Sequence, residues 1–305
     1  MQKPFLSDKP EWLALLWLLM ITFCSLGISS FLSLVVVKLL YGVDVLDIAA
    51  FLSDLDNPVL MPALKVMQTF QAIGGFILPP LFFAQLYTGN ALEVDGAFGK
   101  PKVLELVVAM ALIILAQPII NFTAEWNSGI NFPDWGGIEQ WMKESEESTA
   151  KLTERFLNMP TLGSMLFNVF MIGLLPALGE EFLFRGTLQP IFKRMFGNIH
   201  IAIFLAAFIF SAMHMQFYGF IPRLLLGIVL GYFAAWSGSI WVSVAAHFFN
   251  NAAAVLLSYL VSNQFLGKEA KTIGAGGDWK LVIMSVLICA FLLKQLHTYR
   301  SKWAD

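Results

Sequence analysis

The sequence predicts an all-α polytopic transmembrane helical bundle of about eight spans, on three observations. Of 305 residues, 58% are hydrophobic and only 13% charged, against about a quarter charged in an ordinary soluble domain. Mean hydropathy is +0.71. Apolar runs near the ~20 residues needed to cross a bilayer recur along the whole chain. Helices follow from those runs, because in lipid a helix satisfies its backbone hydrogen bonds within itself. The net charge of −2 points away from nucleic acid, which calls for a basic face. The expected surroundings are the lipid bilayer.

The first run, Trp12 to Val37, carries no charge. It is longer than the ~7–15 apolar residues of a secretory signal, so it reads as a retained helix. Further spans are expected at Val66–Tyr87, Val103–Phe122, Leu162–Leu178, Ile199–His214, Phe220–Trp236, Ile240–Val261 and Leu281–Leu293. Between the first two, GVDVLDIAAFLSDLDNPVL spaces its aspartates as a short interfacial helix would. An acidic stretch follows the third span. Its four-residue spacings predict a partly helical loop, with Trp126, Trp135 and Trp141 at the water–lipid boundary. Residues 1–158 therefore form an N-terminal transmembrane region with three spans and an acidic loop. Residues 159–262 form a core, and 263–305 a Gly-rich loop and the last helix. Basic residues divide almost evenly between the two faces, and the expectation is that both termini are cytoplasmic. Cys24 and Cys289 lie in apolar runs and read as small apolar residues rather than a disulfide.

Ionisable groups within spans cost about 2.5–3.5 kcal/mol each on insertion scales, so each needs a reason. They gather in the core. In LGEEFLFRG, Glu181 and Arg185 are four apart, one above the other on a helix with acid before base. Glu180 points about 100° away from Glu181. The spacing divides the carboxylates: Glu181 neutralised by Arg185, Glu180 left to face something else. The plainer reading is a structural ion pair at an interfacial helix end. In FSAMHMQF, His214 closes the fifth span one turn after Phe210; alone, it reads as an interfacial histidine. In GSIWVSVAAHFFNNAAA, His247 lies in mid-span with Asn251 one turn on and Asn250 close by. Such residues also join helices by hydrogen bonds. Arg223, after Pro222 at the start of the sixth span, is expected to snorkel.

The set is more telling than its members. Glu180, His214, His247 and Asn251 could converge in one polar cavity. A carboxylate and an imidazole sharing a water make a general base. An Asn NH₂ and a second imidazole can stabilise an oxyanion. Those are the parts that hydrolyse a peptide bond with an activated water. No nucleophile elbow and no HExxH is present.

These stretches resemble a known family. GEEFLFRG resembles the EExxxR motif, FSAMH the FxxxH motif and HFFNN the HxxxN motif of the CAAX prenyl endopeptidase and bacteriocin-processing (CPBP) family, also called the ABI family. That family includes the Ras-converting endopeptidase and the lysostaphin-resistance-like proteins. The likeness covers about residues 160–260, so that 159–262 would be a CPBP-like catalytic core. The resemblance implies an intramembrane endopeptidase of the bacterial cytoplasmic membrane, acting on a peptide or membrane-protein substrate. It implies Glu180 and His214 as the pair activating water, His247 and Asn251 on the oxyanion side, and Glu181 with Arg185 as structural support. Members are often called metalloproteases, and Glu180, His214 and His247 could furnish a zinc site. Asn is a poor zinc ligand and a Glu–His base needs no metal, so the expectation is no cofactor, with zinc the alternative. Two other functions compete. A proton-coupled transporter would also use intramembrane Glu and His, and the proline-bearing runs QAIGGFILPPLFF and GLLPALGEE could be broken helices. A non-catalytic membrane partner or immunity protein could use the same fold.

Overall fold

The computed structural model describes residues 3–43, 48, 57–94, 99–130, 136–267 and 279–301. Helices account for the regular structure among them. They are α1 (Glu11–Tyr41), α2 (Leu60–Thr88), α3 (Val103–Leu115), α4 (Gln117–Ser128), α5 (Ile138–Phe156), α6 (Leu162–Phe196), α7 (Ile199–Ala212), α8 (Phe220–Ser237), α9 (Ile240–Ser262) and α10 (Trp279–Ser301). The chain is an integral membrane protein. Six helices are long and apolar enough to cross a bilayer, or seven if α3 and α4, bent by 43° at their junction, form one span. The expected eight is therefore not reached by length. The remaining expected span, α7, has 14 residues, about 21 Å against a hydrocarbon core of about 30 Å.

Helix ends sort onto two faces. On one, Arg194 at the end of α6 donates to Glu11 at the start of α1, 2.8 Å away, and Tyr87 at the end of α2 donates to the same carboxylate oxygen at 3.2 Å. On the other, Asn168 near the start of α6 donates to the Phe156 carbonyl of α5. There too, Asn263 after α9 donates to Met159, and Asn127 of α4 accepts from Ile221 at the start of α8. Since α6 ends on the Glu11 face and α8 begins on the α5 face, α7 connects the two in fourteen residues. The turn that follows α7 packs against α5. Ser145 donates to the Met215 carbonyl, Tyr218 N–H donates to Glu146, and Trp141 packs on Phe217. The acidic stretch is thus helical over Ile138–Phe156. Trp126 and Trp141 are exposed, while Trp135, most of the aspartate-rich stretch after α1 and much of the Gly-rich loop fall outside the described residues.

Proline shapes the two long helices that meet at the core. Pro79 and Pro80 in α2, and Pro176 and Pro190 in α6, each follow a π-helical turn: Ile73–Ile77, Val169–Leu174 and Phe184–Leu188. A proline lacks the N–H for its i−4 carbonyl and clashes with it, and one extra residue in the preceding turn relieves the clash. The runs that sequence could read as broken helices are continuous helices with widened turns. At their crossing, a Cβ on Gly179 would lie 2.7 Å from the Phe76 Cβ, so only glycine lets α2 and α6 approach this closely at the acidic motif.

Candidate active site

The acidic motif sits in the middle of α6, not at a helix end as sequence suggested. Glu181 is fully buried and Arg185 nearly so, joined at 2.8 Å between Nη1 and Oε1. Arg185 Nη2 donates to the Gly227 carbonyl of α8 at 2.9 Å, and the guanidinium lies 4.9 Å from the Phe210 ring centroid. Gly227 also permits this contact: a Cβ there would stand 3.0 Å from the Ala207 Cβ and 3.2 Å from the Phe210 ring. The π turn Phe184–Leu188 contains Arg185, and such turns re-aim the side chains that they carry.

His247, one-third of the way along α9, joins the two carboxylates. Its Nδ1 lies 2.8 Å from Glu181 Oε1, and its Nε2 lies 3.8 Å from Glu180 Oε2. A carboxylate held by Arg185 only accepts, so Nδ1 carries the proton. The other ring nitrogen, Nε2, is turned toward Glu180 and in a neutral ring offers it a lone pair. His214 repeats the arrangement: its Nδ1 lies 2.8 Å from the Phe210 carbonyl, an acceptor only, so its Nε2 too is bare. Both imidazoles pack nearly perpendicular to the Phe210 ring, with centroids 5.1 Å away for His214 and 6.0 Å for His247. No hydrogen bond or ion pair joins His214 to Glu180 among the described residues. The imidazole that faces Glu180 is His247.

Asn251 lies one turn beyond His247. Its Nδ2 donates to the Ile172 carbonyl at 3.2 Å and its Oδ1 accepts from Asn250 at 3.1 Å. Ile172 belongs to the π turn Val169–Leu174, where widened geometry frees carbonyls from their helical partners. One N–H of the Asn251 amide remains available. Arg223 departs from the expectation that it snorkels: its Nη2 donates to Gln216 Oε1 at 2.5 Å, and its charge interacts with Glu146 and Glu180. Phe210, Gly227 and Gln216 were not singled out from sequence as site residues. Phe210 had a signal, one turn before His214.

The bare Nε2 atoms of His214 and His247 and the Glu180 carboxylate are chemically suited to zinc. Among the described residues, however, no three His, Cys, Asp or Glu side chains converge closely enough to hold a metal ion. The arrangement does not fit one, and no step below is routed through a metal.

Fold and site together define a helical membrane protein with a carboxylate–imidazole centre buried between α6, α7, α8 and α9. Residues 162–253 match the family model described as type II CAAX prenyl endopeptidase Rce1-like, so the resemblance carried by the three motifs holds over this segment. The chain is also 33% identical over 89 residues to the uncharacterized protein YpbD of Bacillus subtilis (strain 168). That alignment covers 28% of this chain and 42% of the relative, under half of its length. No solved structure matches the chain.

Proposed function

We propose that the protein is an intramembrane endopeptidase that hydrolyses a peptide bond with a water activated by Glu180. The observation that carries this reading is the pair of unequal carboxylates around His247: Glu181 bonded to Nδ1 at 2.8 Å and Glu180 facing Nε2 at 3.8 Å. A water shared by Glu180 Oε2 and His247 Nε2 would sit to one side of the line joining them, about 2.8 Å from each. Glu180 removes its proton as the water attacks the scissile carbonyl. Glu181, held by Arg185, fixes the tautomer and orientation of His247 and stabilises the imidazolium if the proton passes to Nε2. The proton then returns to the leaving amine. The free N–H of Asn251 is the donor for the developing oxyanion. The family resemblance instead assigns His214, on the other side of the Phe210 ring, to the water and His247 to the oxyanion side.

The CAAX-type description of the matched family supports a substrate that is a peptide or membrane protein, reached from within the bilayer. The test is cleavage of a fluorogenic peptide library, lipidated CAAX-like peptides included, by purified protein beside Glu180→Ala and Asn251→Ala. A zinc chelator is added in parallel. Activity lost in both variants and kept under chelation is expected. Loss on chelation, restored by zinc, would overturn the metal-free mechanism. A folded wild type that cleaves nothing would favour a carrier or a non-catalytic partner.

A further inference from the structure

We propose that Arg223 is the binding site for a carboxylate of the substrate, behind Gln216, which lines the large cavity bordered by α5. This rests on the proposed hydrolysis and extends it to what the enzyme recognises. Arg223 stands one turn into α8, close enough for its charge to interact with Glu146 and Glu180. Its Nη2 donates to Gln216. Its Nη1 is buried and has no hydrogen-bond partner among the described residues.

The neighbouring acceptors are turned elsewhere. Glu146 Oε2 accepts from the Tyr218 N–H, and Glu180 faces His247. A buried guanidinium N–H left without an acceptor costs free energy until one arrives. The group that best matches a planar guanidinium edge is a carboxylate.

The route to this edge is on the same side. Gln216, which holds Arg223, lines a cavity of about 1130 Å³ between the start of α2, the second half of α5 and the end of α9. Such a volume exceeds the ~300–1,000 Å³ of drug-sized ligand sites and suits a peptide segment. Lys151, which pairs with Glu147 at 2.7 Å, and Arg155 and Glu154 also line it. The Arg223 charge acts on both Glu180 and His214, so a carboxylate held on it would stand near the hydrolytic centre. That carboxylate comes from the substrate's C-terminus or from an acidic side chain near the scissile bond.

The probe is a fluorescein-labelled hexapeptide carrying one glutamate, made in four forms. The C-terminus is a free acid or an amide, each with the glutamate or with glutamine in its place. Binding is read by anisotropy on full-length Glu180→Ala protein, with and without Arg223→Gln. Removing the recognised carboxylate weakens binding about 10- to 100-fold where Arg223 is present, and has no effect in Arg223→Gln. A loss on amidation names the C-terminus; a loss on glutamine substitution names the side chain. Equal binding of all four forms, no binding of any, or the same discrimination in Arg223→Gln overturns the proposal.

With catalytically intact protein, Arg223→Gln raises KM for a cleaved peptide by a larger factor than it changes kcat, and Arg223→Lys recovers part of the affinity. A fall in kcat at unchanged KM, or an altered unfolding midpoint, would instead mark a structural role and overturn it. Discrimination among the four forms by a protein that cleaves no peptide would refute the hydrolysis and leave the carboxylate site standing.

Discussion

The buried pair of Arg185 and Glu181 gives a prediction that can be worked through in magnitude. At 2.8 Å, two unit charges attract by about 6 kcal/mol at an effective dielectric of about 20. Each ion lost several kcal/mol of hydration on burial, so the net worth of the pair is small. Removing one partner is another matter, because the survivor keeps its desolvation cost. Arg185→Met leaves the fully buried Glu181 with His247 Nδ1 alone and strands the Gly227 carbonyl. It is expected to destabilise the fold by about 3–5 kcal/mol. Arg185→Met with Glu181→Gln removes both charges, so the double variant should recover a large part of that loss. Unfolding midpoints in detergent, followed by size-exclusion monodispersity and denaturant titration, give the cycle. Two single losses under about 1 kcal/mol, or losses that simply add in the double variant, would refute the reasoning.

Two further predictions concern packing and chemistry. Gly179→Val places a side chain 2.7 Å from the Phe76 Cβ and should lower stability by about 1–3 kcal/mol through overpacking; a wild-type unfolding midpoint would count against the close crossing of α2 and α6. Asn251→Ala should lower kcat about 10²–10³-fold with little change in KM, read from initial rates on a cleaved peptide; a pure KM effect would remove Asn251 from the oxyanion role.

Much of this was readable in the sequence wherever one helix carries both partners. The four-residue step from Glu181 to Arg185 forms the ion pair that the spacing implies, and Glu180 is split from it as helix geometry requires. Relations between helices were not readable. Nothing in the spacing says that His247 rather than His214 faces Glu180, because the choice depends on how α9 packs against α6. Arg223 looked like a snorkelling residue because Pro222 marks a helix start. The partner it finds instead, Gln216, lies in the turn between α7 and α8, and that pairing depends on how the turn folds rather than on any spacing. The prolines at 79 and 176 announced irregular backbone, but a π turn and a broken helix look alike in sequence.

The central claim is that Glu180 is the base. Glu180→Gln keeps the shape of the side chain and the faced His247 Nε2 but removes the charge that takes the proton. On a peptide that the wild type cleaves, kcat should fall about 10²–10⁴-fold with KM and unfolding midpoint unchanged. A Glu180→Gln protein that cleaves at the wild-type rate would contradict the account.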